Sequence, residues 1–185
     1  LKRLEIEDSL SPADVFITVD AARLQRAKQA GVLQTIDNPI LKERIPTSLR
    51  DRENYWFGLS QRARTIIYNK ETVDEDNLST YEELANPAWK GKLCIRSSDS
   101  VYNQSLVASM IEVNGIEKTE SWARGLVRNF ARPPTGGDTD QLKATAAGQC
   151  SIALANTYYL GRLINSKISS ERKASQNLAV FWPNQ

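Results

Sequence analysis

Short apolar runs rich in β-branched residues alternate along the chain with segments of helical character, and this alternation constrains the fold more than any other feature. The clearest runs are RTIIYN (64–69), GKLCI (91–95), CSIALA (150–155) and LAVFW (178–182). Two further strands are predicted near Asp14–Val19 and in YWFGL (55–59). Such alternation is typical of α/β proteins with parallel sheets. The sequence therefore predicts an α/β protein with one large domain or two small ones.

The overall charge of the chain is nearly balanced. Its 185 residues include 24 Lys and Arg against 22 Asp and Glu, with no basic block. Electrostatics therefore give no reason to expect nucleic acid or a membrane surface as a partner. No apolar stretch approaches the roughly 20 residues that span a bilayer. Because the chain starts at Leu1 rather than at methionine and ends in a strand-like segment, we expect it to be the middle of a longer protein.

The absence of histidine narrows the possible chemistry. It removes Ser–His and Cys–His catalysis, and it removes histidine-based zinc, copper and haem sites. Two cysteines cannot close a thiolate site alone, so a metal would need mostly oxygen ligands, which select hard cations. Since no acid–base or nucleophile set is evident, we do not expect an enzyme.

Two segments of the chain share a cysteine–tyrosine spacing. Tyr102 follows Cys94 and Tyr158 follows Cys150, by eight residues in both cases. If the two strands are parallel neighbours with the cysteines level, both tyrosines lie at the carboxyl edge of the sheet, where ligands of open α/β sheets bind. Tyr159 adjoins Tyr158 at a predicted strand-to-helix junction. The backbone changes direction there, so the doublet can converge on one point near a helix N-terminus, which favours negative charge.

Three converging tyrosines suit a highly charged, hard cation. A tyrosine has a reference pKa of about 10, so ionising one at pH 7 costs ~4 kcal/mol. Only a strong cation offsets that cost three times, and Fe(III) fits because three phenolates neutralise its three charges. Taken singly, a tyrosine at a strand end is more often a packing residue. We interpret Tyr55, Tyr68 and Tyr81 in that way, the first two in strands and the third in a short helix.

Two arginines are candidates for a supporting role. Arg162 lies four residues after Tyr158 and three after Tyr159, on the same helix face. Arg62 lies between two predicted strands, with Arg64 as a weaker alternative. A guanidinium near a phenolate lowers the pKa of that phenolate and holds it in place. The competing interpretation of Arg162 is a solvated helix arginine.

The cysteines and one glycine-rich turn leave alternatives open. Cys94 and Cys150 are compatible with buried free thiols, but an even number of cysteines in a chain that we expect to be exported favours a disulfide between them. A bridge requires Cα atoms within about 4.4–6.8 Å of each other. The turn Gly136–Gly137–Asp138 is compatible with an anion site at the following helix, but we favour a role for Asp138 as the helix N-cap.

Several segments resemble the ferric-iron-binding periplasmic proteins of bacterial ABC importers, and most closely the cyanobacterial iron-uptake type. These segments are SPADVFITVDAARL, YWFGLSQRARTIIYN, GKLCIRSS, VYNQSLVAS and ANTYYLGRL. The resemblance implies a type II periplasmic binding protein fold with two α/β lobes. Each lobe would have a mixed, mainly parallel sheet flanked by helices, and crossing strands would join the lobes. The first lobe would span 1–68 and the second 69–178, with 179–185 returning toward the first.

The resemblance also implies a function. Tyr102 of VYNQS and the doublet Tyr158–Tyr159 would bind Fe(III) in the cleft between the lobes. Arg162 would support the ligands, and Arg62 would lie close to the metal. The protein would be an exported, periplasmic monomer that delivers iron to a membrane permease and its ATPase, without nucleic acid as a partner.

The chain departs from the family pattern in two places. The first strand of the family, which carries a further tyrosine often beside a histidine, is missing, and so is the last part of the first lobe. Some relatives have a carboxylate ligand just after the ADVF strand. Val19 stands there in this chain, followed by Asp20 as a predicted helix cap, so we do not assign Asp20 as a ligand.

Two other functions compete with iron binding. A binding protein of the same fold could hold an anion or a small organic solute, with tyrosines stacking on it and arginines holding a carboxylate. The effector domain of a transcription regulator can share this fold, although no helix-turn-helix is visible in the sequence.

Overall fold

A computed structural model describes residues 1–185, which form two compact units, Leu1–Gln61 (unit 1) and Arg62–Gln185 (unit 2). The predicted lobe boundary between residues 68 and 69 falls inside the first strand of unit 2. The assignment of lobes to 1–68, 69–178 and 179–185 stays a prediction. None of the helices combines the length and the apolar character that crossing a bilayer would require.

Unit 1 is built from short helices. They are α1 (Lys2–Glu7), α2 (Ala21–Gln29) and α3 (Pro39–Arg44), with 3-10 turns at Asp8–Leu10 and Thr47–Leu49. The carboxylate of Asp20 accepts a hydrogen bond of 3.0 Å from the backbone N–H of Ala22 and so caps α2. Gly31 follows the helix with φ of +71°, a backbone conformation that favours glycine. Both ends of α2 therefore match the sequence prediction.

The two strands predicted in unit 1 are wrong. Residues 14–19 pair with no other strand, and Val15 and Ile17 are 74% and 82% exposed. The YWFGL segment forms only an isolated bridge between Phe57 and Arg50. β-branched sequence favours an extended backbone, but a strand also needs a neighbour for its N–H and C=O groups. No segment of this chain supplies that neighbour.

Unit 2 contains a four-stranded sheet. Its strands are β1 (Arg64–Asn69), β2 (Leu93–Cys94), β3 (Ile152–Asn156) and β4 (Leu178–Phe181), in the order β2-β3-β1-β4. β2 is parallel to β3, while β1 is antiparallel to both β3 and β4. Three strands therefore share one direction, as strand–helix alternation predicts, and β1 alone runs the other way. The first residue of β1, Arg64, consequently lies opposite Asn156, the last residue of β3.

Helices cover both faces of this sheet. They are α4 (Val101–Asn114), α5 (Ile116–Arg128), α6 (Asp138–Ala146), α7 (Thr157–Ile164) and α8 (Ser169–Ser175). Alternate residues of a strand face opposite sides. Ile66 accordingly packs in a cluster with Trp122 of α5, whereas Ile67 packs with Leu142 of α6 and Leu163 of α7. The helix predicted at 79–89 forms instead as 3-10 turns at Glu82–Ala85 and Pro87–Trp89, because Pro87 interrupts it.

Cys94 and Cys150 form a disulfide with a Cα–Cα distance of 5.9 Å, which confirms the bonded alternative. The cysteines are not level, however. The register places Cys94 opposite Ala153, and Cys150 lies before the start of β3 at Ile152. The equal cysteine–tyrosine spacing is therefore no structural repeat. Residues 95–100 separate β2 from α4, whereas α7 follows β3 directly.

Replacing Cys94 and Cys150 together by serine is expected to lower the free energy of unfolding of unit 2 by about 4 kcal/mol, because the bridge closes a loop with a sequence separation of 56 residues. Urea denaturation of the oxidised protein and of the double variant measures the difference. Reduced wild-type protein is the control, and it should unfold like the variant. Coincident unfolding curves for all three would contradict the expectation.

Candidate metal centre

Two helix N-termini bring three tyrosines to one edge of the sheet. Tyr102 is the second residue of α4, and Tyr158 and Tyr159 are the second and third residues of α7. Because β2 and β3 are parallel, the segments that follow them emerge at the same carboxyl edge. The hydroxyl oxygens of Tyr102 and Tyr158 are hydrogen-bonded at 3.2 Å. The predicted convergence of these two residues is therefore present.

The tyrosine doublet also converges rather than diverging. The ring centroids of Tyr158 and Tyr159 are 4.4 Å apart, with their planes inclined at 33°. Tyr158, whose ring packs against that of Tyr159, is also the residue whose hydroxyl is hydrogen-bonded to Tyr102, so the three side chains form one cluster. All three side chains are partly buried, so they are shielded without being closed off from solvent.

The three hydroxyls do not ionise with equal ease. Burial raises the pKa of Tyr102 and Tyr159, and the hydrogen bond to Tyr158 raises both further. Burial opposes ionisation of Tyr158 as well. Its hydrogen bonds with Tyr102, Tyr159, Asn156 and Arg62 outweigh burial, and the pKa of Tyr158 is lowered. The first phenolate is therefore favoured at Tyr158, and further phenolates beside it require a compensating cation.

Both predicted arginines lie over tyrosine rings. The guanidinium carbon of Arg62 is 5.4 Å from the ring centroid of Tyr102, and that of Arg162 is 5.8 Å from the ring centroid of Tyr159. Both arginines are exposed. A cation over an aromatic face is attracted to the ring and favours a negative charge on its oxygen. Their roles at a bound metal stay predictions.

Sequence reasoning missed two residues that contact the tyrosines. The guanidinium carbon of Arg96 is 5.5 Å from the ring centroid of Tyr102. The side-chain amide of Asn156 donates a 3.4 Å hydrogen bond to the hydroxyl of Tyr158. Asn156 is the last residue of β3, and Arg96 lies two residues after the end of β2, at the same edge as the tyrosines. Their positions at the ends of β2 and β3 were the available signal.

Asp138 and Arg64 have a different arrangement from the predicted one. Gly137 is the N-cap of α6, and Asp138 is the first helical residue, so the predicted N-cap role is wrong. The Asp138 side chain is fully buried and pairs with Arg64 at 2.9 Å. Arg64 therefore does not take the place of Arg62 over the Tyr102 ring. The sequence did indicate that Arg64 needs an acidic partner, because it lies at the start of a buried strand and a charge inside a core requires a partner.

The other three tyrosines have contacts of their own. The hydroxyl of Tyr68 donates to Glu75 at 2.9 Å, and that of Tyr81 donates to the backbone carbonyl of Arg64. Tyr55, in unit 1, lies under the ammonium of Lys28 at 4.9 Å from the ring centroid. Tyr55 is in no strand, contrary to prediction, and Tyr81 precedes a 3-10 turn.

The donor set limits what the centre can bind. No group of three or more His, Cys, Asp or Glu side chains is placed to hold a metal ion anywhere in the chain. A cation bound at this edge would depend on phenolic oxygens, which suit hard, highly charged ions once ionised. In the metal-free state, the charges of Arg62, Arg96 and Arg162 offset any phenolate that forms.

Comparison with known proteins places the chain among solute-binding proteins. Residues 11–185 match the family model described as bacterial extracellular solute-binding protein. Iron uptake protein A1 of Synechocystis sp. is 50% identical over 185 residues, which are all of this chain and 51% of that protein. The Fe(3+)-binding periplasmic protein of Serratia marcescens is 28% identical over 154 residues, 83% of this chain and 44% of that protein.

A solved structure supports the same relationship. A Trichodesmium protein in complex with iron and citrate superposes with a TM-score of 0.97 and 54% identity, covering 100% of this chain and 58% of that one. The chain thus spans about half the length of the curated relatives it matches. The predicted fold class, the two-lobe type II periplasmic binding protein fold, is confirmed. The chain belongs to the family of bacterial extracellular solute-binding proteins.

Proposed function

We propose that this chain forms part of a periplasmic protein that binds Fe(III) through Tyr102, Tyr158 and Tyr159 and delivers it to an ABC permease and its ATPase. The observation that carries the proposal is the convergence of the tyrosines, with 3.2 Å between the hydroxyl oxygens of Tyr102 and Tyr158. The names of the relatives, an iron uptake protein and an Fe(3+)-binding periplasmic protein, support the same cargo.

Charge explains why the cargo would be ferric rather than divalent. Three phenolates carry three negative charges, which match Fe(III) and leave a surplus around a divalent ion. Both α4 and α7 direct their N-terminal N–H groups toward this edge of the sheet, and this favours the ionised form of the tyrosines. Histidine and carboxylate clusters, which would serve divalent metals, are absent from the chain.

The arginines suit a reversible site. Arg62 and Arg162 lie over the rings of Tyr102 and Tyr159, so they stabilise phenolates both before the metal arrives and after it leaves. Acid weakens the site, because protons compete with the metal for the same oxygens. Lowering the pH would therefore be enough to release the metal, without a covalent step.

Adding Fe(III) as its nitrilotriacetate complex to the purified, metal-free protein is expected to produce a visible iron–phenolate charge-transfer band. Ga(III) has the same charge but no partly filled d shell, so it should prevent the band from forming without giving a band of its own. Acidification should bleach the colour. The band is measured by absorbance titration.

The main alternative is a binding protein for a carboxylate-bearing solute, which the arginines over Tyr102 and Tyr159 would hold. In that case the protein stays colourless with Fe(III), and citrate without metal binds measurably by calorimetry. A colourless protein whose Fe(III) remains entirely with the chelator would contradict the proposed function.

A further inference from the structure

We propose that the buried carboxylate of Asp138, acting through Asn156 and Arg96, is the positioning group that holds Tyr158 and Tyr102 together for metal binding. The inference rests on the proposed function, because it assigns a role within that site. Asp138 contacts neither tyrosine directly. It acts on them indirectly, through Asn156, which contacts Tyr158, and Arg96, which contacts Tyr102.

Asp138 joins the segments that form this edge of the sheet. One carboxylate oxygen accepts from Arg64 at 2.9 Å and from the backbone N–H of Asn156 at 3.1 Å. The other lies 3.5 Å from Arg64 and 3.7 Å from Arg96. Its donors thus come from the start of β1, the segment after β2 and the end of β3. Because the Asp138 side chain is 0% exposed, water does not compete for these contacts.

The route to Tyr158 passes through the side-chain amide of Asn156. Its oxygen accepts a 3.3 Å hydrogen bond from Arg64, whose guanidinium is held by Asp138. A guanidinium has only donors, so the amide oxygen must face Arg64 and the NH₂ group must face the other way. There it donates to the hydroxyl of Tyr158 at 3.4 Å. The ion pair therefore fixes which end of Asn156 meets the tyrosine, and a donor at that place favours phenolate.

The route to Tyr102 passes through Arg96. Its guanidinium forms an ion pair with Asp138, 3.7 Å from the carboxylate, and lies 5.5 Å from the ring centroid of Tyr102. The Arg96 side chain is 26% exposed, so it is mostly buried. Arg62 lies at a similar distance from the same ring, but it forms no salt bridge that would hold it there.

The ion-pair cluster of Asp138, Arg64 and Arg96 has a net positive charge, which favours anionic tyrosines. Arg64 and Arg96 carry two positive charges against the single negative charge of Asp138. A one-to-one ion pair would contribute no net charge to the site. The surplus positive charge instead lies beside Tyr102 and behind Asn156, where it favours anionic oxygens in the site.

The test compares variants of the intact protein. Asp138→Asn removes the charge that orients Arg64 and Arg96, and Arg96→Gln removes the contact with Tyr102 while leaving the buried Arg64–Asp138 pair in place. Arg96→Lys restores the positive charge. Asn69→Ala is the matched control, because Asn69 is 2% exposed and hydrogen-bonded to the carbonyl of Thr145, but at the other end of β1.

Two measurements decide the outcome. In metal-free crystals of Asp138→Asn and Arg96→Gln, the hydroxyl oxygens of Tyr102 and Tyr158 should separate beyond hydrogen-bonding distance. With Fe(III), the charge-transfer band should shift, and the affinity in citrate competition should fall about tenfold to a hundredfold. Arg96→Lys should recover most of that loss. Asn69→Ala should lose thermal stability but keep the band, the affinity and the oxygen distance.

Failure of this inference differs from failure of the proposed function. If wild-type protein binds Fe(III) and both variants keep its band, affinity and hydroxyl distance, Asp138 is only structural and the inference is overturned. If Asp138→Asn does not fold, the same measurements on Arg96→Gln decide. If wild-type protein shows no iron band, the proposed function fails and the inference falls with it, whatever the crystal distances.

Discussion

Tyr158→Phe is expected to lower the affinity for Fe(III) about a hundredfold, while leaving the fold intact. Structural zinc sites with four ligands bind their metal with about 10–16 kcal/mol, or ~3 kcal/mol for each ligand, and the loss of one phenolate is expected to cost a similar amount. The substitution removes the hydroxyl that bonds Tyr102 at 3.2 Å and whose pKa is lowered, so it removes the oxygen most ready to ionise. The ring, which packs 4.4 Å from that of Tyr159, stays in place.

The control for this change is Tyr68→Phe. It makes the same chemical alteration at a hydroxyl that bonds Glu75, away from the three tyrosines. Citrate competition, followed by the charge-transfer band, measures the affinity of each variant. Equal affinities for the two variants would show that Tyr158 is a packing residue, and the assignment of the doublet as ligands would then be withdrawn.

Unit 2 is expected to fold when residues 62–185 are produced alone, whereas residues 1–61 are expected to remain unfolded. All three clusters of buried apolar side chains lie in unit 2, together with the sheet and the disulfide. Unit 1 buries only two apolar residues, Ala27 and Ile45, at 0% and 7% exposure. Such a core cannot offset the conformational entropy of about 1–2 kcal/mol per residue that folding costs.

Circular dichroism and dispersion in proton NMR spectra distinguish the two fragments. Residues 62–185 should show a cooperative thermal transition and dispersed amide resonances, and residues 1–61 should show neither. The undivided 185-residue chain is the reference. A cooperative transition in the isolated 1–61 fragment would contradict this expectation.

The elements of unit 2 were largely predictable because each carries its own local signal. RTIIYN and CSIALA are apolar, β-branched or small, and they form β1 and β3. The predicted strand near Asp14–Val19 carries the same signal and forms no strand. The difference is not local, since β1 has β3 and β4 beside it and residues 14–19 have no neighbour. Composition sets the tendency to extend, and pairing decides whether a strand results.

The part of the candidate site that lies in one short sequence motif could be predicted. Tyr158, Tyr159 and Arg162 lie in one short motif, and the resemblance added Tyr102 and Arg62. The equal spacing from the cysteines pointed to the correct edge of the sheet for a wrong reason, because Cys94 and Cys150 are not level. The position of Arg64 at the start of a buried strand indicated that it needs a partner, but not that the partner is Asp138, which is separated from it by 74 residues. Pairs of that kind arise from packing and leave no local pattern.

Because β1 and β4 are adjacent and antiparallel, unit 2 can be inherited or engineered as a single segment. Ile66 near the start of unit 2 pairs with Phe181 near its end, so the chain enters and leaves the sheet on adjacent strands, ~5 Å apart. A continuous segment with adjoining ends can be inserted into a surface loop of another protein, or exchanged between relatives by recombination, as a single piece. The three tyrosines, the arginines above them and the buried carboxylate all lie between those ends, and they would be transferred together.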